Sequence, residues 1–314
     1  MTDQKKFRLV TRSDFDGLVC AVLLQGLDMI DDIKFVHPKD MQDGLIEITD
    51  RDITTNLPYV EGVHLAFDHH LSETIRNGEL RTNHIIDPRA PSAARVVYDF
   101  YGGKDTFPWI GDDMMAAVDQ ADSAQYDMDD VLHPQKWALL NFLMDPRTGL
   151  GRFRTFRISN YNLMMDLIAY CRDHTIEQIL ELPDVAERVK LYFDQEPRFK
   201  QQLRDIAQVH GNVVVLDLRD QEIIHAGNRF MIYALFPETD LSIHVIWGKG
   251  RQNTVFAVGK SIFDRTNPIN VGAVMLQHGG GGHQAAGTCQ VGHEAAPETL
   301  KTLIQTFNHR AVAA

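Results

Sequence analysis

Two short motifs in the first quarter of the chain carry residue types that can do chemistry. TRSDFDGLVC sets Asp14 and Asp16 one residue apart, and FDHHL brings Asp68, His69 and His70 together immediately after the apolar stretch VHLAF. Each motif alone has an ordinary explanation, because acidic residues cap helices and fill turns. Together, at the ends of successive predicted strands, they can face one point in space and hold a cation. A mixed carboxylate and imidazole set suits a borderline divalent ion such as Mn²⁺, whereas Mg²⁺ prefers oxygen and structural Zn²⁺ usually recruits thiolates.

The elements needed to position these groups are legible as alternating patterns. Phe7 to Val10 reads as a strand, Leu18 to Ile30 as a helix, and Ile33 to Val36, Leu45 to Ile48 and Val63 to Phe67 as further strands. Strands alternating with helices predict a parallel sheet flanked by helices, whose ligands bind beyond the carboxyl ends of the strands. APSAARVVYDFYG reads as a helix with Ser92 as its N-cap, and helical patterns continue to about Leu182. Val185 to Val209, interrupted by Pro197, suits a kinked connector. From Asn212 onward VVVLDL, IIHAGNRFMIYALF, LSIHVIWG and TVFAVG predict a sheet-centred domain that closes with a helix over Pro297 to Asn308.

The second glycine-bearing motif, HGGGGHQAAG, spans His278 to Gly287. Bare glycine backbone lets N–H groups approach an anion closely. A flexible linker fits poorly, since the apolar VGAVML precedes the run and the small residues AAG follow it.

In this order, SDFDG, DHH and GGGGHQAAG resemble the DHH phosphoesterase superfamily with its associated C-terminal domain, in particular exopolyphosphatase-related and oligonucleotide phosphodiesterase members. The likeness spans nearly the whole chain. It implies an α/β fold: a parallel-sheet catalytic domain over residues 1–184, a helical linker over 185–210, and a smaller mixed α/β substrate-binding domain over 211–314, with the active site in the cleft between domains. Carried over by residue, it implies that Asp14, Asp16 and His69 ligate metal, that Asp68 orients the histidines, and that His70 lies close to substrate. A further metal ligand comes from Asp52 or Asp50, with Asp52 favoured because DITTN matches the family pattern. The last is Asp122 or Asp119, with Asp122 favoured. Gly280, Gly281, Gly282 and His283 are implied to bind substrate, with Arg265 as an added cation and Arg229 a weaker choice. The loop arginines Arg147, Arg152 and Arg154 read equally as a phosphate clamp or as surface.

The chain departs from the resemblance at Arg12, where many relatives carry a histidine. Arginine stays protonated and cannot ligate a cation. One metal position is therefore weakened, and Arg12 becomes a substrate-binding residue for phosphate.

The implied activity is two-ion activation of water for in-line attack on phosphorus, with Mn²⁺ the expected metal, Mg²⁺ its alternative, and short oligonucleotides or small nucleotides the first choice of substrate. Inorganic polyphosphate or pyrophosphate is the second choice, and a catalytically weakened nucleotide sensor a third. A chain of 314 residues with 44% hydrophobic and 24% charged content is an ordinary globular composition. Its net charge of −12 argues against coating long nucleic acid. With no signal-like start and no long apolar run, a cytoplasmic location and no membrane partner are expected. Cys20, Cys171 and Cys289 read as reduced thiols, and a homo-oligomer is left open.

Overall fold

A computed structural model describes residues 6–70, 73 and 81–308. The chain divides into two compact units. One comprises Met1–Gln125, Gln135–Pro146 and Leu150–Lys190, the other Tyr126–Pro134, Arg147–Gly149 and Leu191–Ala314.

The first unit is built on a parallel sheet of β1 (Phe7–Arg12), β2 (Ile30–Val36), β3 (Asp52–Thr55), β4 (Leu65–Asp68) and β5 (His84–Ile86), in the order β2-β1-β3-β4-β5. The chain steps from β1 outward to β2 and then returns to the far side of β1 as β3. Strand order therefore reverses between β1 and β3, and the loops leaving their carboxyl ends diverge to open a crevice there. Helix α1 (Phe15–Gly26) is buried without interruption from Phe15 to Leu24, which is why its sequence is apolar on every side. After the short α2 (Pro38–Gln42), α3 (Ala93–Phe100) follows the sheet, capped by the Ser92 hydroxyl as its sequence predicts. Helix α4 (Asp112–Asp122) then returns toward the same end.

The predicted strand at Leu45 to Ile48 is absent, and the third strand is instead Asp52–Thr55. Leu45 is exposed, while Ile46 and Ile48 lie over a small cluster of Val10, Val36, Met41 and Leu57. Apolar alternation there reports a loop folded onto the sheet edge. The true strand, DITT, lies between two neighbours with every residue buried, and its threonines are β-branched residues suited to a pleated surface. On it, the Thr55 hydroxyl donates to Thr11 Oγ1 at 2.7 Å and the Thr11 hydroxyl to the Thr55 carbonyl at 3.1 Å, so the buried polar groups satisfy one another.

In the second unit, β6 (Ala207–His210), β7 (Val213–Asp217), β8 (Leu241–Trp247), β9 (Thr254–Lys260), β10 (Gly281–His283) and β11 (Ala286–Val291) form a mixed sheet ordered β10-β11-β9-β8-β7-β6. Its core gathers Val213, Val215, Ile243, Val245, Phe256, Met275, Leu303 and Phe307. IIHAGNRFMIYALF is not a strand. The Asn228 side chain accepts from the Phe230 N–H, its carbonyl accepts from Met231 N–H, and a one-turn helix (Met231–Leu235) buries Met231, Ile232 and Tyr233. The helix Pro183–Ile206 carries Pro197 within it rather than being interrupted there, and Pro183 occupies its first position, where no N–H is needed.

The glycine run is a tight hairpin rather than an open loop. Gly281–His283 pairs antiparallel with Ala286–Thr288, and the helix Val271–Gln277 lies directly on it. A Cβ on Gly280 would sit 2.0 Å from the Thr288 carbonyl oxygen, and one on Gly282 2.2 Å from that of Ala286. Gly281 differs, since a Cβ there would meet nothing within 4 Å. Gly282→Ala is therefore expected to cost about 2 kcal/mol or more through overpacking. Gly281→Ala should stay within about 0.5 kcal/mol of the parent. Urea unfolding of the two variants checks this, and equal midpoints would contradict the assigned packing.

Candidate metal centre

The turn after β1 is shaped by Gly17. A Cβ there would fall 2.0 Å from the Arg12 carbonyl oxygen and 2.7 Å from Thr11 Oγ1, so only glycine lets α1 begin this close to the strand it leaves. Asp14 caps that helix, its Oδ1 accepting from Gly17 N–H at 3.0 Å. Within the first turn, Asp16 reaches across to α3 and is buried: Oδ1 accepts from Ala94 N–H at 2.7 Å and Oδ2 from Ala93 N–H at 3.0 Å. A carboxylate at a helix N-terminus meets both the free N–H groups and the positive end of the helix dipole.

At the end of β4, Asp68 is almost completely buried, and its Oδ1 accepts from His69 N–H at 2.8 Å and from His70 Nδ1 at 2.7 Å. It thus orients His70 directly. The His69 ring is held otherwise: its Nδ1 donates to the Ala90 carbonyl at 3.2 Å, so that Nε2 carries the lone pair whenever the ring is neutral. That nitrogen lies 2.8 Å from Asp122 Oδ2. Yet it is buried and has no partner in hydrogen-bonding geometry.

One ligand atom from each of Asp16, His69 and Asp122 lies within 4.8 Å of the other two. A divalent ion bonded at about 2.0–2.2 Å holds its ligand atoms roughly 3–4.4 Å apart, so a small contraction would close the set on one ion. A buried Nε2 with no aligned hydrogen bond, close to two carboxylates, suits a cation site, and the residues fit one.

The other predicted residues are placed as follows. Asp119 is not part of the group. It accepts from the Ser92 hydroxyl at 2.7 Å and takes Arg95 in a two-pronged bond at 2.6 and 3.0 Å, pinning α3 to α4 and setting Asp122 one turn further on. The structure does not bring Asp52 to the group. In the parallel register Asp52 lies beside Arg8 and Thr55 beside Thr11, so Asp52 is three residues, about 10 Å, toward the opposite end of the sheet. There it pairs with Arg8 at 2.6 Å and accepts from the Thr49 N–H; these contacts outweigh burial and hold its carboxyl below the usual range. Asp50, in the turn before β3, shares that end.

The residue at the carboxyl end of β3 is Asn56, which sequence reasoning passed over as the close of DITTN. It is buried at φ 54°, and its Nδ2 donates to Asp14 Oδ1 at 3.2 Å. Only the carboxyl ends of parallel strands face the site, so counting along DITTN identifies Asn56 and excludes Asp52. Arg12 Nε forms an ion pair with Asp14 Oδ2 at 2.8 Å. Asp14 thus meets a guanidinium and an amide, and is outside the three-residue group. His283 accepts from Ala285 N–H at its Nδ1, and Arg265 Nε donates to the Ile262 carbonyl; both are exposed in the second unit, as is Arg147 in part of its loop.

Comparison with solved structures decides the family. The chain is 58% identical to the pGpG-specific phosphodiesterase PggH from Vibrio cholerae, over 98% of this chain and 100% of that one, with a TM-score of 0.85. The chain belongs to the DHH phosphoesterase superfamily. An exopolyphosphatase-related protein from Bacteroides fragilis shares the fold at 14% identity and a TM-score of 0.52, over 97% of this chain and 93% of that one. RecJ from Thermus thermophilus in complex with Mn²⁺ does so at 15% identity and 0.54, over 98% of this chain and 52% of that one. Comparisons with protein-family models and with curated proteins found no match. Among the described residues of this DHH phosphoesterase, no helix is long and apolar enough to cross a membrane.

Charge in the group is strongly coupled. Burial, then the charges of Asp122 and Asp14, push the Asp16 carboxyl up to about 8. Burial works against protonated His69, but contact with Asp122 and the charges of Asp122, Asp16 and Asp68 lift it to about 9. Without a cation the group therefore keeps protons at neutral pH, and a cation must displace them, because ligation needs ionised carboxylate and neutral imidazole. Mn²⁺ affinity is expected to rise as pH increases from 6 toward 9, with protons released on binding. Calorimetric titration in buffers of different ionisation enthalpy measures both, and an affinity independent of pH would contradict the coupling.

Proposed function

We propose that this DHH phosphoesterase hydrolyses short linear oligonucleotides in a Mn²⁺-dependent reaction, with the dinucleotide pGpG as its preferred substrate. The observation that carries the reading is the 58% identity, over essentially whole chains, to a phosphodiesterase specific for pGpG. Asp16, His69 and Asp122 would hold the cation. A divalent ion there supplies Lewis-acid polarisation of a phosphoryl oxygen and acidifies water.

The remaining roles belong to the chain's own groups. Asp68 fixes the His70 ring, and burial is outweighed by that bond so that the His70 pKa is raised. A raised pKa suits His70 to hold a proton for the departing ribose oxygen. Asp119, through Ser92 and Arg95, keeps the two helices that present Asp16 and Asp122 in register. The hairpin Gly280–His283 and Arg265 are assigned to the distal part of the substrate, with residues 1–184 as catalytic domain, 185–210 as linker and 211–314 as substrate-binding domain. Gly279 and Gly281 are glycines of the run whose backbone is open to such a ligand.

The test is a panel of pGpG, a longer oligonucleotide, a 3′,5′-bisphosphate nucleotide and inorganic polyphosphate, each with Mn²⁺ or Mg²⁺. Release of GMP from pGpG should exceed turnover of every other compound by at least tenfold in kcat/KM, and Asp122→Asn should lower kcat by about 10²-fold or more. Preferential turnover of polyphosphate, or pGpG binding without hydrolysis, would overturn the proposal.

A further inference from the structure

The carboxyl ends of β1 and β3 carry a second group of polar side chains beside the three candidate ligands, and its composition is unlike theirs. Asp14 is its one carboxylate. Oδ1 accepts from Gly17 N–H at 3.0 Å and Asn56 Nδ2 at 3.2 Å, while Oδ2 faces Arg12 Nε at 2.8 Å and Asn56 Nδ2 at 3.4 Å. A divalent ion on this side would have to displace the guanidinium or share the carboxylate with it. Arginine cannot relieve that repulsion by losing a proton. Asn56 contributes an amide, which brings no charge to offset a second ion, and it is locked in place by a bond from its own N–H to the Phe67 carbonyl at 3.1 Å.

We infer that this centre holds a single divalent cation per chain, on Asp16, His69 and Asp122, and that the Arg12 guanidinium, fixed on Asp14, supplies the second positive charge that grips the phosphoryl group. The inference rests on the reading that those three residues hold a cation. Arg12 is about one-third exposed, at 35%, whereas His69 and Asp122 are at 13% and 18%, so the guanidinium stands at the more open side of the group. Its Nε faces Asp14, and a planar guanidinium held along one edge keeps its terminal N–H groups suited to phosphate oxygens. The arrangement differs from the two-ion chemistry that the motifs predict. It replaces one exchangeable charge by a permanent one carried on the chain.

The deciding measurement is the amount of Mn²⁺ bound by the full chain after metal is stripped and restored, read by calorimetry and by electron paramagnetic resonance. One equivalent with the spectrum of an isolated ion is expected. Two equivalents, or the signature of a spin-coupled pair, would overturn the inference while leaving a Mn²⁺-dependent activity intact; no binding would overturn both. Arg12→Ala should keep the single equivalent and raise KM for pGpG at least tenfold, and an unchanged KM removes Arg12 from substrate binding. Arg12→His combined with Asn56→Asp should admit a second equivalent. A folded double variant that still takes one shows that these side chains do not exclude the second ion.

Discussion

The placement of the Asp16 carboxylate is the constraint on which the rest of the centre depends. It is a charged group buried beneath the first turn of α3, tolerable because both oxygens accept N–H bonds from Ala93 and Ala94. That contact fixes α3 over α1, and the bonds of Ser92 and Arg95 to Asp119 in turn fix α4 on α3. Asp122 and Asp16 are thereby held near one another against their mutual repulsion, with His69 close to both. Without a cation that repulsion is relieved by bound protons, which an ion must displace.

Much of the fold was legible because its signals are local. Ser92 as an N-cap and the apolar helix after SDFDG each follow from propensities within a few residues. The failures share a cause. Leu45 to Ile48 and the segment around Phe230 are apolar and alternate like strands, yet a loop laid over a small cluster and a helix of one turn bury such residues equally well. Only the partner available in three dimensions distinguishes these outcomes.

The candidate site shows the same division. Asp16 and His69 each lie just beyond the end of a strand, where a short motif can point to them, whereas Asp14 of the same DxD caps α1 and pairs with Arg12. DITTN resembles the family pattern at Asp52, yet in a parallel sheet an acid at the start of β3 must lie at the far end, and it binds Arg8 there. Asn56 carried no signal by type alone. The orienting carbonyl of Ala90 carried none at all, since a backbone acceptor has no signature in sequence. The four-glycine run was legible as special, but its conformation was not. Gly280 and Gly282 are dictated by the hairpin's own packing, Gly279 by its left-handed backbone, and Gly281 by neither, a distinction set by neighbours that the sequence does not name.

The central claim is convergence of Asp16, His69 and Asp122 on one ion, and anomalous diffraction from crystals grown with Mn²⁺ tests it most directly. The account predicts a strong peak within about 2.0–2.4 Å of a carboxylate oxygen of Asp16, Nε2 of His69 and a carboxylate oxygen of Asp122. A peak bonded to other side chains, or these three side chains lying apart in the crystal, would contradict it.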